Sequence, residues 1–158
     1  MIDFKRLLHA LDAAKVEFVI VGGVAATLYG SSRLTSDLDI VYSRTKDNIK
    51  RLVEALKPLK TYLRGAPAGL PFRFDEATVR AGLNFTLTTE AGPLDLLGEI
   101  AGGFTYDVLR KRCEAYDLYQ RRFRVIDLDA LIENKIAAGW PKDLEVVAEL
   151  EVIREERE

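Results

Sequence analysis

Apolar positions along the chain follow two periods, and the places where one gives way to the other outline the elements. Phe4, Leu7, Leu8 and Leu11 fall at helical intervals and predict an amphipathic helix over residues 3–14. The period then shortens to a β-rich run, Val16-Glu17-Phe18-Val19-Ile20-Val21, which stops at Gly22-Gly23. A short alanine-rich helix is expected over residues 24–29, ending at Gly30. After a polar connection, residues 31–36, comes a second strand, Asp37-Leu38-Asp39-Ile40-Val41. Ile49, Leu52, Val53 and Leu56 predict a helix over 46–56, closed by Pro58.

The signals weaken between residues 60 and 81. Thr61-Tyr62-Leu63 reads as a short strand, 65–71 as a glycine- and proline-rich loop and 75–80 as a helical turn. Such a loop suits a substrate gate, and turn chemistry alone would also produce it. Alternation returns at Leu83-Asn84-Phe85-Thr86-Leu87-Thr88-Thr89, followed by a turn at Ala91-Gly92-Pro93 and a partner strand Leu94-Asp95-Leu96-Leu97. Further helices are expected over 106–112, over 128–138 with Asp127 as N-cap and Gly139 as stop, and from Pro141 to about residue 157. Between the first two, residues 115–126 read as a hairpin around Gln120. There is no internal repeat or linker, so residues 1–158 are expected to form one domain, with a core over about 1–100 and a hairpin and helical extension over about 101–158.

Composition narrows the setting. An apolar share of 48 % beside 30 % charged residues is that of an ordinary soluble domain, and a net charge of −2 carries no overall basic field for nucleic acid. Cys113 is the one cysteine, which excludes an internal disulfide and suits a reducing compartment. No apolar run reaches transmembrane length, and the charged start Met1-Ile2-Asp3-Phe4-Lys5-Arg6 is unlike a signal peptide. A cytoplasmic protein without a membrane partner is expected. His9, the one histidine, lies in the first helix and has no second histidine with which to share a zinc ion.

The chemistry gathers around residues 16–42. On a strand, residues i and i+2 project the same way, roughly 6.5 Å apart. Asp37 and Asp39 therefore share a face, while Leu38 and Ile40 point into a core. Side-by-side carboxylates repel unless a cation lies between them, and Mg²⁺ favours a few carboxylates completed by water and phosphate oxygens. A solvated acidic edge strand is the alternative for a bare D-x-D. Upstream, Gly22-Gly23 lets a ligand approach the main chain, and the helix after it presents free N–H groups to an anion. Val24 excludes the dinucleotide fingerprint and the absence of G-K-[ST] excludes a Walker loop. Asp95 stands in an otherwise apolar strand, where a carboxylate needs a partner or a wet edge. In the polar connection that ends at Ser36, Arg33 suits phosphate oxygens or plain solvent.

A glycine pair, thirteen residues and then Asp37-Leu38-Asp39-Ile40 resembles the signature of the DNA polymerase beta-like nucleotidyltransferase superfamily. More narrowly, the chain is similar to its small bacterial and archaeal members, including those grouped with abortive-infection and toxin–antitoxin systems. Many relatives have serine where Gly23 stands. Near the C-terminus, Lys135 and the pair Lys142-Asp143 match a further pattern, with Trp140 in place of an expected arginine. A tryptophan there suits stacking on a base or plain packing, and Lys135, on periodicity alone, suits the surface equally well.

The resemblance implies an α/β chain with a mixed sheet (α+β in arrangement): a polymerase beta-like core with added C-terminal helices. It implies Asp37, Asp39 and Asp95 as catalytic metal ligands for Mg²⁺, with two ions in the usual scheme. It also implies Gly22, Gly23, Arg33, Ser36 and Lys135 as nucleotide contacts. The expected reaction moves a nucleoside monophosphate from an NTP to an acceptor hydroxyl on RNA, protein or a small molecule and releases pyrophosphate. The alternative is a non-catalytic nucleotide-binding or toxin–antitoxin interaction module, working beside a helical partner protein. Antibiotic modification uses the same chemistry, and nothing in the sequence selects it.

Overall fold

The computed structural model describes residues 2–158. The chain runs α1 (Phe4–Ala13), β1 (Phe18–Val21), α2 (Gly22–Tyr29), β2 (Leu38–Tyr42), α3 (Lys46–Leu56), β3 (Tyr62–Leu63), α4 (Glu76–Ala81), β4 (Phe85–Thr89) and β5 (Gly92–Leu97). It continues with β6 (Glu99–Ile100), β7 (Phe104–Thr105), α5 (Tyr106–Leu109), β8 (Cys113–Leu118), β9 (Arg121–Ile126), α6 (Leu128–Ala138) and α7 (Pro141–Arg157). No helix among the described residues is long and apolar enough to cross a membrane.

The fold is mixed α/β, as expected. Seven strands form one sheet in the order β3-β4-β5-β2-β1-β9-β8. β2 pairs antiparallel with β1 and parallel with β5, and β9 lies parallel to β1 on the other side. The late hairpin therefore adds β9 and β8 to the edge of the main sheet beside β1. Val19, Ile20, Leu38, Ile40, Leu94, Leu96 and Val125 are fully buried in its central strands. Central strands covered on both faces lose alternation and become continuously apolar, as β1 is.

Local chemistry sets the element ends. Asp3, Thr45 and Asp127 each accept a hydrogen bond from the backbone N–H three residues on, satisfying donors that a helix start leaves free. Gly139 closes α6 at φ +71°, a left-handed position natural to glycine. Buried Asn48 accepts from the Glu17 N–H (2.7 Å) and donates to the carbonyls of Glu17 (3.0 Å) and Ser43 (2.8 Å). It thereby ties the entrance of β1 to the exit of β2 and α3. α1 packs with α3, and α2 with α6 and α7.

Four boundaries differ from the sequence reading. α2 begins at Gly22 itself, not at Val24. Asp37 lies in a bend just before β2. The fifth strand starts at Gly92, so the turn is Glu90-Ala91. The helix expected over 106–112 stops at Leu109 and is preceded by the small β6–β7 ladder. Tertiary context outweighs local propensity in such short segments.

Candidate active site

A single row of register-paired residues crosses the sheet and builds the site. Val21 faces Asp39 across the β1–β2 ladder, Asp39 faces Asp95 across β2–β5, and Asp95 faces Thr86 across β5–β4. The Arg64 N–H donates to the Thr86 carbonyl at 3.0 Å, extending the row to the edge just beyond β3. Directly paired residues project to the same face, so this register brings Asp95 beside Asp39. Asp37 joins them from the bend before β2, and one carboxylate oxygen from each aspartate lies within 4.8 Å of the other two.

The strand-to-helix corner closes on these acids. Gly22 has φ +66°, and a Cβ there would lie 2.1 Å from Asp39 Oδ2. Glycine at 22 thus serves both the left-handed backbone and the close carboxylate. A Cβ at Gly23 would lie 2.7 Å from Thr35 Oγ1. The space that a serine at 23 would need is held by this hydroxyl from the neighbouring loop, which donates to the Asp37 carbonyl at 3.1 Å.

Asp39 is the electrostatic centre. Burial, then the charges of Asp95 and Asp37, push its carboxyl up to about 7, and Lys135 opposes the shift. Its Oδ1 is buried without a hydrogen-bond partner. An orphaned buried oxygen beside two further carboxylates is the donor set that a hard divalent cation satisfies, so these residues fit such an ion.

The other candidate residues divide into two groups. Lys135 projects from α6, where its Nζ lies 3.5 Å from Asp143 Oδ1 and its charge reaches Asp39. Ser36 donates to Asp37 Oδ1 at 2.8 Å and so supports an acid of the triad. Arg33 is half-exposed and pairs with Glu145 on α7 at 3.0 Å, not with the triad. Trp140 is 67 % exposed between α6 and α7, and its backbone N–H donates to Asp143 Oδ2 at 3.3 Å.

Arg64 escaped the sequence reading. Its Nη2 lies 2.8 Å from Asp95 Oδ1 and its Nη1 3.5 Å from Asp37 Oδ2. Its Nε and Nη2 also donate to the Leu87 carbonyl, at 3.1 and 2.6 Å. The available signal was its position directly after Tyr62-Leu63, which continues that strand's alternation toward the partner strand.

No protein-family model and no curated protein matches the sequence. Solved structures do. The lincosamide antibiotic adenylyltransferase LnuA, bound to lincomycin, is 17 % identical with a TM-score of 0.59, over 96 % of this chain and 98 % of that one. A putative nucleotidyltransferase from Thermotoga maritima is 14 % identical with a TM-score of 0.58, over 94 % of each chain. ANT(2″)-Ia in complex with adenylyl-2″-tobramycin is 17 % identical with a TM-score of 0.57, over 97 % and 93 %. This chain therefore has the polymerase beta-like nucleotidyltransferase fold along nearly its whole length.

Proposed function

We propose that this chain transfers a nucleoside monophosphate from an NTP to an acceptor hydroxyl. The acceptor oxygen bonds to the α-phosphorus, the bond from that phosphorus to the β-phosphate oxygen breaks, and pyrophosphate leaves. The observation that carries this reading is the convergence of Asp37, Asp39 and Asp95 within 4.8 Å beside Gly22. Asp37, Asp39 and Asp95 would hold Mg²⁺. A divalent cation supplies charge neutralisation at the attacking and leaving oxygens of an in-line displacement.

The remaining work falls to the chain's own groups. The N–H groups at the start of α2, with Gly22 and Gly23 giving close backbone access, hold the terminal phosphates. Lys135, steadied by Asp143, adds positive charge on the nucleotide side. Ser36 fixes the orientation of Asp37. Asp95, on the acceptor side in this reading, takes the hydroxyl proton as the new bond forms. Among acceptors we favour a small hydroxyl compound over RNA or protein, because two neighbours of like fold were solved with lincomycin and adenylyl-2″-tobramycin.

The test is incubation with each of the four α-labelled NTPs, Mg²⁺ and a panel holding a lincosamide, an aminoglycoside and RNA. A labelled acceptor with matching pyrophosphate release is expected. Failure of every combination, with the folded protein and Mg²⁺ present, overturns the proposal.

A further inference from the structure

The triad already has a cation of its own. Arg64 reaches Asp95 and Asp37 at 2.8 and 3.5 Å but makes no ion pair with Asp39, whose Oδ1 is left without a partner. We propose that the Arg64 guanidinium is a built-in counter-ion that occupies two of the three aspartates, and that a divalent cation must displace it from them to bind all three. The proposal rests on the metal-binding reading above and adds a competition to it.

Two features make Arg64 part of the site and not a chance surface contact. Its backbone N–H is fixed on Thr86 and its guanidinium on the Leu87 carbonyl, so the β3–β4 ladder aims it at the acids. A planar fork holding carboxylates is also a strong, directional pairing. The way out is open, however. The side chain is 29 % exposed, and the next residue, Gly65, turns the chain off the sheet at φ +77°. The guanidinium can leave Asp95 and Asp37 by side-chain rotation while the backbone stays paired.

The competition has a consequence for binding order. Each carboxylate oxygen held by Arg64 is withheld from a metal, so the chain alone binds a divalent cation weakly. A triphosphate offers the guanidinium a replacement anion, so nucleotide and cation strengthen each other's binding.

The test is Mn²⁺ titration of the whole chain without nucleotide, followed by the resonance of free Mn²⁺, for wild type, Arg64→Gln and Arg64→Lys. Removing a unit charge this close to two carboxylates is expected to tighten Mn²⁺ binding about tenfold in R64Q. In chelator R64Q should melt below wild type, and saturating Mn²⁺ should narrow or reverse the gap. R64K keeps the charge without the fork, is expected between the two, and supplies the comparison if R64Q does not fold. Equal Mn²⁺ affinity in wild type and variants overturns the competition while leaving the metal site standing. Absence of Mn²⁺ binding in all three removes the metal site itself.

Discussion

Gly22 and Asp39 approach so closely that no side chain fits between them: a Cβ at 22 would stand 2.1 Å from Asp39 Oδ2, on a backbone already at φ +66°. Gly22→Ala must therefore strain the corner, at about 1–2 kcal/mol for a left-handed non-glycine residue, and push the Asp39 carboxylate aside. Chemical denaturation should register the lost stability. Mn²⁺ affinity and transfer should fall more steeply than the stability loss explains, and normal metal binding in this variant would show that Asp39 does not need the corner.

Asp39 also sits among crowded like charges. Asp39→Asn keeps the shape and removes one of three crowded negative charges, so the fold should be retained or slightly stabilised at neutral pH. Nucleotidyl transfer should drop by about a thousandfold or more, the scale of lost electrostatic stabilisation at a reaction centre. Near-normal turnover would place the reaction elsewhere.

The raised carboxyl of Asp39 predicts a pH dependence of definite sign. Between the ordinary 3.8 and about 7, the folded chain holds a proton there that the unfolded chain has released. By linkage, this group's contribution is greatest below about pH 4, declines as pH rises toward 7 and is level above it. Asp75, Glu90, Glu133 and Glu149 have lowered values and act oppositely, losing stability as pH falls. The measurement is thus a difference: in chelator, wild type should lose stability relative to D39N across pH 4–7. Parallel curves would remove the raised carboxyl from the account. Mg²⁺ should bind more weakly below pH 7, because the proton competes for the same oxygen.

Lys135 and Asp143 test the proposed nucleotide side. Asp143 is buried, with one oxygen near Lys135 Nζ and the other accepting from the Trp140 N–H at the start of α7. Asp143→Ala should cost about 1 kcal/mol for the lost helix-start contact. It also frees Lys135 from its partner. Lys135→Met should lower stability, because buried Asp143 and Asp39 both lose an opposing charge, and raise KM for the NTP by about tenfold, read from initial rates at varied nucleotide. An unchanged KM would assign Lys135 to structure alone.

Much of the site was legible because it rests on short-range rules. Alternation placed Asp39 as an acid between two core residues, and the glycine pair marked the corner. A lone carboxylate in the apolar run around Asp95 signalled that something must compensate it. Boundaries were read less well. α2 takes in the glycines because the preceding residue, Val21, is extended and buried in the sheet. The β6–β7 ladder joins strands of two residues each, too short to show a period.

By itself, the order of residues determined which segments alternate, which turn and which acids are out of place, because these depend on neighbours a few positions away. The tertiary structure decided which distant residues share a row. It set Asp95 on Asp39 through the parallel β2–β5 register, Arg33 on Glu145 through the packing of α7, and Arg64 between Asp37 and Asp95 through the edge of β3 and β4. The physical reason is that a strand's own sequence specifies its faces but not its partner. A shift of one residue in pairing would turn Asp95 to the opposite face, and only the packed core of both strands forbids it.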